Sequence, residues 1–281
     1  MLLNMNNFIK TTFFFAVSIF LAILLFSCSG SLLFYQRNKT PKAISIKNAS
    51  VTKTFLLNEK HKKISLIQIV PTNAQNKPIT ILVVPPKGGN SGTLSEVISP
   101  LVSKGYEIYL FDYQGYGTSD GKADTKNVVT DAQLVLDYVA SNKKTNTKLL
   151  LWGFSIGGNL AVKLASDNPS KIDALIIEGA FTSHPEVVKS VAPKGLKWVA
   201  KFIRSPYPSK QLIKNVHIPV LIIHSLNDKT CPYSMGETLY ENANQPKSFL
   251  QLSGDHCHGL QQETDKYLNY LELFLTGNNI K

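Results

Sequence analysis

A serine hydroxyl attacks a carbonyl only when a base takes its proton and an acid holds that base in the right tautomer. Ser155 lies in a setting suited to that chemistry. Leu149-Leu150-Leu151-Trp152 is a short apolar run that reads as a buried strand, and it passes into Gly153-Phe154-Ser155-Ile156-Gly157-Gly158. From Asn159 to Ala165 the periodicity is helical. Strand, sharp turn and helix together make a nucleophile elbow, and a side chain at Gly153 or Gly157 would crowd that turn. The elbow lifts the Ser155 hydroxyl above the strand end. It also aims the Ile156 N–H and the new helix N-terminus at the space beside the hydroxyl, where a developing oxyanion needs donors. Gly-x-Ser-x-Gly also occurs in plain strand-to-helix turns, so the flanking elements carry the reading.

The base and acid are sought at later strand ends. Pro219 to His224 is a buried strand running into a loop with Asp228, and Phe249 to Leu252 runs into a loop with His256. The order Ser, Asp, His and the gaps between them suit a strand-loop scaffold. His256 directly follows the tight Gly254-Asp255 turn. His258, two residues on, is the alternate base. His61, His184, His217 and His224 lack this placement, and Asp255 precedes the histidine rather than ending its own strand.

The elements that must position these residues alternate. Ser50 to Leu57 and Ile64 to Val70 read as early strands forming an antiparallel hairpin, and Ile79 to Val84 as a buried strand. Helix follows at Leu94 to Ser103, strand at Tyr106 to Phe111 and helix at Val128 to Val139. The elbow strand and helix come next, then strands at Ala174 to Glu178, Pro219 to His224 and Ser248 to Leu252, and a closing amphipathic helix at Thr264 to Leu275. This order implies a mostly parallel sheet with helices on both faces and chemistry outside the carboxyl ends of the strands. Phe181 to Val216 interrupts the alternation with four prolines and short helical pieces such as Leu196 to Phe202. It reads as a short cap whose aromatic residues either line an acyl pocket or form a local core.

The chain has 281 residues and is 43% apolar, enough for one large domain with a full core. Its formal net charge is +11, yet no nucleic-acid motif is present. The early excess is concentrated from Arg37 to Lys63, where eight basic residues face one acid, Glu59. This stretch is either a surface for anionic lipid head groups or a solvated stem. Thr11 to Phe26 is apolar and aromatic behind Lys10, the layout of a signal sequence. Leu25-Phe26-Ser27-Cys28 resembles a bacterial lipobox, which implies cleavage before Cys28 and its lipidation. The alternative is an uncleaved transmembrane helix from about Phe13 to Phe34, and the basic residues after it then favour a cytoplasmic domain. Both readings tether the protein to a membrane. The domains expected are a signal peptide or anchor over 1–27, a basic tether over 28–50, and a catalytic domain over 51–281 with its cap near 181–216.

Three stretches together resemble the α/β-hydrolase superfamily, in the branch of small serine hydrolases related to prolyl oligopeptidases and membrane-associated depalmitoylases. They are Phe111-Asp112-Tyr113-Gln114-Gly115-Tyr116-Gly117-Thr118-Ser119-Asp120-Gly121, Gly153 to Gly158, and Ile218 to Asn244. The resemblance implies an α/β-hydrolase fold with a Ser155–His256–Asp228 triad, a structural role for Asp112, and no metal or organic cofactor. It also implies hydrolysis of a small acyl ester or thioester through an acyl-enzyme. A small peptidase and an inactive binding lipoprotein are the alternatives. Relatives carry His-Gly after the strand preceding the first helix, and that loop supplies the second oxyanion donor. Here the strand runs into Pro85-Pro86-Lys87-Gly88-Gly89, so the donor is expected from Gly88 or its neighbour Lys87. Cys231 follows Asp228 by three residues and Cys257 follows His256 directly. If the two loops touch, the pair comes within disulfide range, in an exported protein; two free thiols are the alternative.

Overall fold

The computed structural model describes residues 34, 35, 38, 43–72 and 76–277. The apolar segment, Cys28 and most of the basic tether lie outside the described residues. Among the described residues, no helix is long and apolar enough to cross a membrane.

Eight strands form one sheet. In chain order they are β1 (Ala49–Leu57), β2 (Lys63–Pro71), β3 (Ile79–Val84), β4 (Glu107–Phe111), β5 (Lys148–Phe154), β6 (Ala174–Glu178), β7 (Val220–Ser225) and β8 (Lys247–Leu252). Their spatial order is β1-β2-β4-β3-β5-β6-β7-β8. β1 pairs antiparallel with β2, and β2 antiparallel with β4, while every pairing from β4 through β8 is parallel. Parallel neighbours need crossovers, and here helices supply them on both faces.

Burial follows from the pleat. Along β5, Leu149 and Leu151 enter one apolar core while Leu150, Trp152 and Phe154 enter the other. Helix α1 (Ser91–Ser103) covers the Trp152 side with Leu94, Ile98 and Leu101. The C-terminal helix (Thr264–Leu275) adds Tyr267, Leu268 and Leu271 to that same face. Helices α2 (Thr125–Asn142) and α3 (Ile156–Asp167) cover the opposite side with Val128, Val135, Val139, Leu160 and Leu164. An apolar run buried on both faces is what a central parallel strand requires, and β5 is buried from Leu149 to Phe154.

The loop after β4 is pinned by a carboxylate. Asp112 accepts the Ser91 N–H at 2.6 Å and the Ser91 hydroxyl at 3.0 Å, which ties the loop to the first turn of α1. The Ser119 hydroxyl closes the loop by donating to the Asp112 carbonyl at 2.6 Å. Asp112 therefore holds two elements together at a distance from the serine.

Between β6 and β7 the chain builds α4 (His184–Val191), a 3₁₀ helix (Lys194–Phe202), the short α5 (Ser209–Leu212) and a 3₁₀ turn (Ile213–Asn215). Ser183 caps α4 by accepting the Glu186 N–H, and Pro185 sits in its first turn. The prolines that break the sequence pattern are thus the punctuation of these short helices. α6 (Tyr233–Asn242) follows β7 and α7 (Gly259–Gln262) follows β8, and the C-terminal helix is α8.

Candidate active site

The carboxyl ends of β5, β6, β7 and β8 converge on one point. β5 delivers Ser155 through a turn in which Ser155 has φ 52 and ψ −124. A non-glycine residue at positive φ is strained, and a strand that must hand its chain to a helix within one residue holds it there. The turn closes because Gly153 and Gly157 lack side chains. A Cβ on Gly157 would stand 2.3 Å from the Val84 carbonyl oxygen, and one on Gly153 2.4 Å from the Gly157 carbonyl oxygen. The Ser155 N–H donates to the Glu178 carbonyl at 2.8 Å, which fixes the elbow to the end of β6.

β7 delivers Asp228 and β8 delivers His256. His256 Nε2 lies 2.9 Å from Ser155 Oγ, and His256 Nδ1 lies 2.6 Å from Asp228 Oδ2. The two carboxylate oxygens divide their work. Oδ2 faces His256, while Oδ1 accepts the N–H groups of Thr230 at 2.8 Å and Cys231 at 2.7 Å. Burial alone raises a carboxyl pKa. Here His256 and these two N–H groups outweigh burial and hold Asp228 below its ordinary value, so it stays ionised beside the imidazole. An ionised Asp228 accepts the hydrogen bond of the Nδ1–H, which keeps the proton on Nδ1 and leaves Nε2 as an acceptor toward the serine.

His258 does not join this chain. Its side chain is exposed, and Nδ1 turns back to the His256 carbonyl at 2.8 Å. The oxyanion side is divided in the same way. Ile156 opens α3, where first-turn N–H groups have no helical partner. Gly88, the expected second donor, gives its N–H to the Tyr116 hydroxyl at 3.3 Å, and its carbonyl accepts the Asn38 side-chain amide. Lys87 faces the cleft instead, and among the described residues nothing pairs with its N–H. Gly88 has φ 72°, a left-handed conformation that glycine adopts without strain.

The bridge between Cys231 and Cys257 is not formed; both are free thiols. Cys257 Sγ donates to the Glu178 carbonyl at 3.4 Å and lies 3.6 Å from His256 Nε2. Burial pushes both thiols well up, so they are protonated at neutral pH. A cleft of about 380 Å³ opens beside the serine, lined by Lys87, Leu94, Val97, Phe154, Thr230 and Gln261 around Ser155 and His256. No cap residue lines it. Tyr207 is part of the core, whereas Trp198 and Phe202 stand exposed, so the cap aromatics do not form an acyl pocket.

Glu178, unremarked in the sequence, is built into the floor of the site. Its Oε2 accepts the Tyr267 hydroxyl at 2.7 Å and its Oε1 the Gly259 N–H at 3.2 Å. It thereby ties β6 and the C-terminal helix to the loop that carries His256. Burial pushes this carboxyl up to about 7, against the pull of those two donors. Gly179, next in the chain, has φ 62, and a Cβ there would stand 2.7 Å from Cys257 Sγ and 3.0 Å from His256 Cε1. His224 supports the acid loop from below, with Nε2 2.8 Å from the Cys231 carbonyl. Burial lowers its pKa, so the ring is neutral and Nε2–H is the donor. An acid ending an apolar strand, as Glu178 ends Ala174 to Ile177, is the signal that marks such a residue in a sequence. Among the described residues, no three His, Cys, Asp or Glu side chains stand together in a way that could hold a metal ion.

Comparison with known proteins agrees with this architecture. The family model described as serine aminopeptidase, S33, matches residues 75–217, half of the chain. That span holds the elbow and stops before β7, so Asp228 and His256 are placed by the fold rather than by the match. The α/β-hydrolase domain-containing protein WAV2 of Arabidopsis thaliana is 29% identical over 177 residues, covering 58% of this chain and 58% of that protein. The lysophosphatidylserine lipase ABHD12 of Danio rerio is 32% identical over 183 residues, covering 57% of this chain and 47% of that protein. The chain thus spans about half the length of these relatives. The esterase Pf2001 of Pyrococcus furiosus superposes with a TM-score of 0.69 at 16% identity, over 86% of this chain and 98% of that one, a likeness of fold.

Proposed function

The chain belongs to the serine aminopeptidase S33 family of α/β-hydrolases, and from that premise we propose that it cleaves a carboxylic ester or thioester through an acyl-enzyme. The observation that carries the reading is the hydrogen-bonded chain Ser155–His256–Asp228, with the serine on a strained elbow. His256 Nε2 takes the Ser155 proton as Oγ attacks the carbonyl carbon. The oxyanion forms between the N–H groups of Ile156 and Lys87. His256 then protonates the leaving oxygen or sulfur, and the acyl group stays on Ser155. A water gives its proton to His256 and attacks the acyl carbon, and the acid leaves as the serine regains its proton.

The cleft favours an acyl substrate over a peptide with a free amino terminus. An aminopeptidase needs a carboxylate to hold the substrate ammonium. The cleft offers Lys87 and no acidic side chain. Leu94, Val97 and Phe154 supply apolar surface for an acyl chain, and Lys87 favours a neutral or anionic leaving group. The peptidase reading rests on the family description, and turnover of aminoacyl amides in preference to acyl esters would establish it instead.

Fluorophosphonate labelling tests the mechanism. The folded wild type is expected to label and Ser155→Ala not to label at all. His256→Ala is expected to lose labelling while His258→Ala keeps it, and Asp228→Asn to slow it about 10³–10⁴-fold. Folded wild-type protein that does not label would instead support a binding scaffold, with the Pro85-Pro86 turn as its cause.

The reading includes a membrane tether, through lipidation of Cys28 after cleavage of a signal or through an uncleaved transmembrane helix from about Phe13 to Phe34. A clickable fatty acid incorporated by the wild type and lost in Cys28→Ser supports the lipoprotein. Equal incorporation by both rejects it.

A further inference from the structure

The cap carries a surface that neither the core nor the cleft uses. Four large apolar side chains stand in solvent within twelve residues, with Val191 at 54%, Leu196 at 52%, Trp198 at 42% and Phe202 at 44% exposure. Trp198 and Phe202 meet edge to face at 6.0 Å, so their rings form one patch. Lys189, Lys194, Lys197, Lys201 and Arg204 are interspersed with these residues and are all exposed. From Lys189 to Lys210 the chain has no acidic residue. Apolar side chains clustered in water mark a surface with a partner. The interleaved charges say which kind of partner. Aromatic and aliphatic anchors enter an acyl boundary, while lysines on long stems reach phosphates at the head-group level.

A second observation concerns where the chain enters the domain. Phe34 packs against Phe181 at 6.2 Å and against the His184 ring at 4.5 Å, at the start of α4. Tyr207 also meets that ring, edge to face at 4.9 Å, and burial pushes His184 down to about 4, so it serves as a neutral aromatic wall. The apolar segment that ends at Phe26 is therefore joined to the domain at the base of the cap. The chain between Phe26 and Phe34 spans at most about 30 Å even when fully extended. On the proposed tether reading, the bilayer stands within about 30 Å of Phe34, where the chain meets the start of α4.

We propose that Val191–Phe202 is a docking surface that seats the domain on an anionic lipid bilayer, cap downward. Charge alone also fits an acidic protein. The alternation of aromatic and lysine residues beside the entry of the apolar segment favours lipid. This proposal rests on the membrane-tether part of the reading and not on the hydrolase part, and its readout is lipid contact at Trp198 rather than acylation or turnover.

The chain's two tryptophans make the test direct. Trp152 is fully buried and Trp198 is exposed, so contact quenching by lipid reports Trp198. The full-length chain is reconstituted into vesicles of phosphatidylcholine, or of an equimolar mixture with phosphatidylglycerol, with bromine on the acyl chains. Trp198 emission, taken as the difference between wild type and Trp198→Phe, is expected to be quenched and blue-shifted in the anionic vesicles. Combining Lys194→Glu, Lys197→Glu and Lys201→Glu is expected to lower the docked-to-undocked ratio at least about tenfold. These sites are exposed and leave the fold intact, which a matching near-ultraviolet circular dichroism spectrum checks. Trp198 emission that lipid bromine does not quench, with unchanged access to aqueous iodide, overturns the proposal and points to a protein partner. Equal quenching in neutral vesicles that survives the charge reversal overturns it as an anionic-lipid surface.

Discussion

Trp152 and Trp198 show how differently two regions of one chain use the same residue. Trp152 lies in β5 with no exposure, tilted against Phe154 at 4.6 Å and close to Tyr267. Trp198 lies in the 3₁₀ helix of the cap, 42% exposed, with Phe202 as its ring partner. The first sits in a run buried on both faces of a sheet, where every apolar side chain has a place made for it. The second sits in an insertion too short to build two faces, among lysines that keep it at the surface. Apolar residues near a site are therefore not interchangeable. Those under the sheet end set the geometry of the serine, and those on the cap are left for something outside the chain.

The largest expected difference between the regions is in stability. Trp152→Ala removes a full aromatic side chain from a packed core and is expected to cost about 3–5 kcal/mol. Trp198→Ala is expected to change stability by less than about 0.5 kcal/mol. Urea unfolding of both variants measures this. Comparable losses would mean that the cap packs like the core, and the contrast would fail.

A smaller effect sharpens the contrast by making it depend on pH. Glu178 is raised to about 7 from an ordinary 4.5 by burial beneath the site. The folded state therefore binds its proton more tightly than the unfolded state. The contribution is full below about pH 4.5 and is lost as pH rises through about 7. The stability of wild type relative to Glu178→Gln is expected to fall by on the order of 3 kcal/mol between pH 4.5 and pH 8. Asp228 has the opposite sign, since its depressed pKa gives stability that is lost only as pH falls below the ordinary carboxylate range. Unfolding free energies of both proteins at the two pH values decide the matter. A difference that stays constant across this window would show that Glu178 is ionised throughout, with no buried proton under the triad.

Much of the fold was legible because it is local. β6 at Ala174–Glu178 and the last helix at Thr264–Leu275 match the limits read from periodicity, and the β1–β2 hairpin was readable from its alternation. The elbow was legible from its Gly-x-Ser-x-Gly spacing, in which Gly153 clears the Gly157 carbonyl inside the turn, whereas the constraint on Gly157 comes from Val84 at the end of β3. The second oxyanion donor was legible only as a choice between the adjacent Lys87 and Gly88, because the Tyr116 hydroxyl that takes the Gly88 N–H comes from a different loop. The role of Glu178 is not legible in the sequence, because its partners, Gly259 and Tyr267, are about eighty to ninety residues away.

The sequence by itself determined the parallel sheet, the elbow and the set of residues able to do nucleophilic chemistry. Those depend on side-chain period and on turns of a few residues, which neighbours in the chain decide. Tertiary structure alone decided which histidine stands 2.9 Å from the serine, that Cys231 and Cys257 stay apart as thiols, and that the cap aromatics face out rather than into the cleft. Each of these is a relation between loops from different strands. Such a relation is fixed only once the sheet has brought the strand ends together, because the direction in which a loop side chain points is set by what packs against it.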